Sequence, residues 1–166
     1  MARPVFINMP TSDLPAATAF YEAIGFIKHP FFSSPTSHGM VNALNHDIVV
    51  MLSTADQFQK FLPAERASLE PATHRAAKNA TIHGLSAKSR QEVDEAVETA
   101  VRAGAKAFPP LKLEGCDDSM MYSRSFADLD GYLWEIVWCD EGMVKMAQEA
   151  FAQKLKQLEE EKGRSG

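Results

Sequence analysis

Residues 124–138 read Arg-Ser-Phe-Ala-Asp-Leu-Asp-Gly-Tyr-Leu-Trp-Glu-Ile-Val-Trp, and they decide the fold. An apolar-flanked run enters Asp128-Leu129-Asp130-Gly131 and leaves again as Tyr132-Leu133-Trp134-Glu135-Ile136-Val137-Trp138. Asp-Gly between two β-prone runs predicts a hairpin, because glycine accepts the positive φ of a tight turn. The second run is aromatic and β-branched except for one acid, Glu135. Side chains alternate along a strand, so Leu133, Glu135 and Val137 share one face and Trp134, Ile136 and Trp138 the other. The tryptophan face is expected to pack under helices. A carboxylate in such a strand costs several kcal/mol to bury unless it is paired, protonated or bound to a metal. Glu135 is therefore the first candidate for function.

A strand, an Asp-x-Asp-Gly turn, and a strand with Glu four residues after the glycine resemble the end of the glyoxalase/bleomycin-resistance/dioxygenase superfamily, the vicinal oxygen chelate proteins. The N-terminus is similar to the opening strand and helix of that family: Phe6-Ile7-Asn8-Met9-Pro10-Thr11-Ser12-Asp13-Leu14, then Ala19-Phe20-Tyr21 and Gly25-Phe26. The likeness spans residues 4–139. It implies an α+β fold of two βαβββ modules forming an incomplete barrel around a cavity.

The rest of the sequence can be read as one module written twice. In the first module, residues 4–11 predict a strand. Asp13 caps a helix with Pro15 in its first turn, and Gly25 ends it. In the second, residues 80–86 predict a strand, and Ser89 with Glu92 suits a capping box. The following helix runs through Val93, Ala96, Val97, Ala100 and Val101 to Gly104. The first hairpin is expected to turn at Asn45-His46-Asp47 and the second at Asp130-Gly131. The resulting organisation is a domain over residues 1–141, with modules at 4–54 and 80–139 joined by a connection at 55–79. An amphipathic helix follows at 142–163, with Met143, Met146, Ala150, Phe151, Leu155 and Leu158 on one stripe. The segment His29–His38, with its Phe31-Phe32 pair, is expected to be a loop or edge near a cavity mouth or a dimer contact.

In the family, each module supplies two metal ligands, one from its first strand and one from its last. Carried over by position, the resemblance places them at Phe6, Met51, Thr81 and Glu135. A hard divalent ion prefers His nitrogen and carboxylate oxygen, and only Glu135 qualifies. The chain thus resembles the metal-poor, lactoylglutathione-lyase-like branch, and no cofactor is expected. A divalent metal held by Glu135 with His83 is the alternative. Asn8 and His83, two residues beyond Phe6 and Thr81, read as repeat partners that could line the cavity with Glu135, or as satisfied structural groups. Met51 adds an adaptable apolar lining. Tyr122 and Arg124 share a strand face and are candidate ligand-binding residues; if that face lines the cavity, Arg124 can neutralise Glu135 or bind an anionic ligand bidentately, and otherwise it lies at the surface.

The net charge of −5 argues against nucleic acid as a partner. No apolar run approaches the ~18 residues of a membrane span. The opening MARPVFINMP lacks the apolar core of a signal peptide, and Cys116 and Cys139 form no CxxC, which fits two reduced thiols in the cytoplasm. No Gly-rich phosphate loop, GxSxG or helical His pair is present. The expected protein is a homodimer that binds a small-molecule ligand or substrate in a cavity, with Glu135 as the catalytic residue if there is turnover. The alternative is a metal-dependent lyase, isomerase or extradiol dioxygenase.

Overall fold

The computed structural model describes residues 4–43, 45–63, 81–110 and 119–164. The first module comprises β1 (Val5–Thr11), α1 (Leu14–Ala23), β2 (Phe26–Ser34), β3 (Ser37–Asn42) and β4 (Asn45–Thr54). A short helix α2 (Ala55–Gln59) opens the connection, whose part from residue 64 to 79 lies outside the described residues, as do His74 and Cys116. The second module repeats the order as β5 (Ile82–Ser86), α3 (Arg90–Arg102), β6 (Lys106–Ala107), β7 (Met121–Ala127) and β8 (Leu133–Cys139). A helix α4 (Glu141–Arg164) follows.

The sheets carry the repeat strand for strand. Their orders are β1-β4-β3-β2 and β5-β8-β7-β6. In each, the first strand pairs parallel with the last, and the remaining pairs are antiparallel. The sheets do not close into a barrel. The helix starts follow the local chemistry. Asp13 accepts from the Ala16 amide at 3.0 Å, and Ser89 accepts from the Glu92 amide at 3.1 Å. The Glu92 carboxylate in turn accepts from the Lys88 amide. Gly25 and Gly104 follow the two helices at φ +93° and +108°, the left-handed conformation that ends a helix cheaply only at glycine.

Both sheets turn their helix side inward. Met9, Met40, Val50 and Leu52 of the first sheet join Phe20 and Tyr21 of α1, Val93, Val97 and Ala100 of α3, and Phe126, Trp134 and Ile136 of the second sheet in one buried core. Edge-to-face aromatic pairs cross the module boundary: Tyr21 with Trp134 at 5.7 Å, Phe26 with Trp134 at 5.9 Å and Phe20 with Phe126 at 6.2 Å between ring centres. Trp138 is half-buried on the same side, beneath the Arg90 guanidinium. The two tryptophans thus lie on the helix side, as the strand alternation predicts.

The two hairpins differ from the sequence reading, while the His29–His38 segment falls partly on a sheet edge as expected. Asn42 pairs with Asn45, so the first hairpin turns before Asn45, and Asn45–Asp47 already belong to β4. A register shift between Val41 and Asn42 absorbs the extra residue. The second hairpin is a wider loop, because Ala127 pairs with Leu133 and leaves five residues between the strands. The His29–His38 segment divides between β2, the outer strand of its sheet, and β3, with a register shift between Lys28 and Ser33. Pro30 is tolerated there because an edge strand has one unpaired side.

Candidate functional site

The ladder fixes which residues of the two modules correspond. Asn8 lies opposite Met51, and Gly84 lies opposite Glu135. Asn8 is five residues before the Asp13 cap, as Gly84 is before the Ser89 cap. Both measures make Asn8 equivalent to Gly84, Phe6 to Ile82, and Met51 to Glu135. The repeat partners inferred from sequence, Thr81 for Phe6 and His83 for Asn8, are therefore each one residue out. In a strand, one residue changes the face.

The consequence is a division of the expected site residues. His83 pairs with Trp134 and stands on the helix side, while Glu135 stands on the opposite side of the sheet. Tyr122 and Arg124 also stand on the helix side, opposite Trp138 and Ile136. Their partner there is Asp94 of α3, which accepts from the Tyr122 hydroxyl at 2.9 Å and from Arg124 at 2.8 Å. Those hydrogen bonds, Arg124 first, hold the Asp94 carboxyl below the usual carboxylate range. Arg124 thus ties α3 to β7 and does not neutralise Glu135. The trio of Asn8, His83 and Glu135 does not assemble in this chain, and His83 and Glu135 do not share a metal site within it.

Among the described residues, no helix covers the face on which Glu135 lies. Around it stand Ser123, Ser125, Leu133 and Val137, all half-buried, and Gly84, which is exposed. Its carboxylate has no hydrogen bond or ion pair among the described residues. The equivalent face of the first sheet is apolar. Phe32 from β2 folds over Gly39, where an added Cβ would lie 2.8 Å from the Phe32 Cβ and 3.3 Å from the Met51 sulfur. Phe6 meets Phe32 edge-on at 5.2 Å, and Asn8 is exposed beside them. Phe6, Met51, Ile82 and Glu135 therefore occupy the positions that the resemblance assigns to metal ligands. Two of these side chains have no donor atom, and thioether sulfur is a poor match for a hard ion. Among the described residues, no three His, Cys, Asp or Glu side chains gather as a metal site.

The Asp-Leu-Asp-Gly loop joins the modules. Asp128 is buried, and its carboxylate accepts from the Tyr21 hydroxyl at 2.8 Å and from the amides of Asp130 at 3.0 Å and Tyr132 at 2.8 Å. Burial raises its pKa above the ordinary value; the bonds from Tyr21 and the two amides oppose the rise. Asp130 accepts from the amide and hydroxyl of Ser12 at 2.9 and 2.7 Å, and the Tyr132 hydroxyl donates to the Pro10 carbonyl at 2.9 Å. The two sequence signatures that lie about 110 residues apart are thus bonded to each other in space. This was not anticipated, and the signal available was the presence of a second acid, Asp128, in the turn.

A cleft of about 620 Å³ opens between the edge strands β1 and β5. Ile7, Ile48, Val50, Ile82, His83 and Trp134 are among its walls. The His83 ring stacks on Trp134 at 4.9 Å and 30°, and its Nδ1 lies 3.3 Å from the Leu133 carbonyl. Burial lowers the His83 pKa.

A strand-for-strand repeat of βαβββ, with an acid four residues after an Asp-Gly turn on an open sheet face, defines a class of paired-module proteins. The chain belongs to the Glyoxalase/Bleomycin resistance protein/Dioxygenase superfamily, whose family model matches residues 3–136. Among solved structures, it is similar to the hypothetical protein SA1046 from S. aureus, with 24% identity and a TM-score of 0.62 over 84% of this chain and 95% of that one. A glyoxalase/bleomycin resistance protein/dioxygenase family enzyme from Burkholderia phytofirmans PsJN shares 18% identity with a TM-score of 0.65, covering 81% and 97%. The fosfomycin resistance protein FosX from Listeria monocytogenes, complexed with Mn(II) and sulfate, shares 17% identity with a TM-score of 0.54, covering 85% and 93%. No curated protein sequence matches the chain significantly.

Proposed function

We propose that this protein binds a small molecule on the Glu135 face, in a cavity completed by a second copy of the chain, and without the divalent metal usual for the family. One observation carries the reading. Among the described residues, Glu135 is a carboxylate with no partner on a sheet face that nothing covers, at a position the family uses for its site. Phe6, Met51 and Ile82 at the other three positions do not fit a divalent ion. If the bound molecule is turned over, Glu135 is the group placed to take or give a proton. Asn8 and Met51 then serve as ligand-contacting residues from the first sheet, and a homodimer is required for them to face Glu135. A cytoplasmic setting suits Cys139, which is a free thiol.

Native mass spectrometry and elemental analysis of the purified protein test this. The expected result is a dimer without stoichiometric metal, carrying a small molecule that Glu135→Gln loses while remaining folded. One tightly bound divalent ion per chain, released by Glu135→Gln, would overturn the metal-free reading in favour of a metal-dependent lyase, isomerase or dioxygenase.

A further inference from the structure

Strand β2 leaves its ladder with β3 between Lys28 and Ser33, so residues 29–32 bulge from the outer edge of the first sheet. Two histidines hold this bulge, and each does so as a hydrogen-bond acceptor. His29 Nδ1 accepts from the amides of Phe31 and Phe32, both at 3.2 Å, and the His29 ring stacks on the Phe32 ring at 4.5 Å.

His38 spans the bulge from β3. Its backbone pairs with Ser33 beyond the bulge, and its ring reaches Lys28 before it. The partners fix its tautomer. The Thr18 hydroxyl donates its one hydrogen to the Leu14 carbonyl at 2.6 Å, so it accepts from His38 Nδ1 at 2.6 Å. His38 Nε2 is then a lone pair, which accepts from the Lys28 ammonium at 2.9 Å. The charged groups acting on this ring are Lys28 of β2 and Glu22 of α1. Burial first, and then the Lys28 charge, hold its pKa below the ordinary value, while Glu22 opposes them.

Ring protonation is incompatible with both contacts. A proton on His29 Nδ1 would face two amide hydrogens, and a proton on His38 Nε2 would face an ammonium. The bulge carries Phe32, which lies over Gly39 with the Met51 sulfur beside it and meets Phe6 edge-on. We propose that His29 and His38 form a pH-sensitive latch on β2, closed while both rings are neutral and released when either gains a proton, so that Phe32 lifts from Gly39 and uncovers Met51. Its bearing on ligand entry rests on the reading of the Met51 face as part of the binding site; the latch itself needs no ligand. Histidine changes charge between about pH 8 and 5, so acidification across that range supplies the proton.

Oxidation of the full chain by dilute hydrogen peroxide at pH 7.5 and pH 5, mapped by peptide mass spectrometry, reads the latch directly. Each oxidised methionine becomes a sulfoxide, so accessibility is scored residue by residue. Met146, 71% exposed, is the reference for a free thioether, and Met40, at 0%, reports global unfolding. The Met51 rate relative to Met146 is expected to rise at least about threefold on acidification while Met40 stays protected, as a local opening requires. His29→Asn keeps an oxygen that can accept from the Phe31 amide, His38→Gln keeps one for Lys28, and neither titrates. The double variant is expected to show no rise. A flat Met51 ratio in the wild type, a rise shared by Met40, or a rise that survives in the folded double variant would overturn the proposal. Failure of the binding reading would not touch this measurement, since no ligand enters it.

Discussion

Asp128 shows how much a single side chain can hold. Its carboxylate satisfies Tyr21 from the first module and two amides of its own loop while being buried itself. Asp128→Ala strands these three donors, and a loss of about 2–4 kcal/mol in unfolding free energy is expected from urea denaturation. The pH dependence follows from the raised folded-state pKa. Between the unfolded value of about 3.9 and the folded value, the folded chain keeps a proton that the unfolded chain has released. This group's contribution is therefore fully present below the unfolded pKa and is lost as pH rises through the folded pKa. Asp128→Asn retains an acceptor oxygen for the two amides and cannot ionise, so its stability curve should lack that fall. An unchanged slope in the Asn variant would assign the titration to another group. Gly39 gives a packing counterpart. A Cβ there would lie 2.8 Å from Phe32 Cβ and 3.0 Å from the Phe32 carbonyl oxygen, which is backbone and moves only with β2. Gly39→Ala should cost about 1–3 kcal/mol and shift the amide resonances of residues 29–32.

At the scale of elements, much of the fold was legible because the signals were local and mutually consistent. Asp13, Ser89, Gly25 and Gly104 mark helix ends by side-chain and backbone chemistry that tertiary context rarely overrides. The alternation of Trp134, Glu135 and Ile136 fixed which strand face is buried. What failed was register. The sequence pattern matches Asn8 with His83 whereas the ladder gives Gly84, since nothing in a five-residue strand distinguishes neighbouring positions without the strand it pairs with. The same limit left Arg124 undecided, because its partner Asp94 lies 30 residues away on a helix. The C-terminal helix shows another side of this. Its apolar stripe suggested something to cover it, yet every described side chain of α4 is exposed, with Met146 at 71% and Phe151 at 64%. Since no described side chain of α4 joins the core of its own chain, ending the chain at Asp140 should leave the chemical-denaturation midpoint of the monomer unchanged. A large drop in that midpoint would show that the helix packs back on the domain.

For the molecule as a whole, the decisive relation is between the two sheets. Their helix sides share one core, so their open faces look away from each other. The Glu135 face and the Phe6–Asn8–Met51 face of one chain cannot bound the same cavity. If the family's paired arrangement is used, each cavity must take Glu135 from one copy and Phe6, Asn8 and Met51 from another, giving two equivalent sites per two-fold dimer. The edge strands β1 and β5 point to the same need, since Val5 at 58%, Phe6 at 43% and Ile82 at 59% exposure leave apolar edges open. A mixing experiment separates shared sites from sites within one chain. Glu135→Gln removes the carboxylate, and Phe6→Glu places a charge on the opposing wall, so each variant alone should lose the molecule that co-purifies with the wild type. Unfolded and refolded together in equal amounts, they form hybrid dimers for about half of the population. In each hybrid, both lesions fall in one site and the other site is wild type, so about a quarter of all sites should recover binding. If the sites lay within single chains, every chain would carry one lesion and nothing would be recovered.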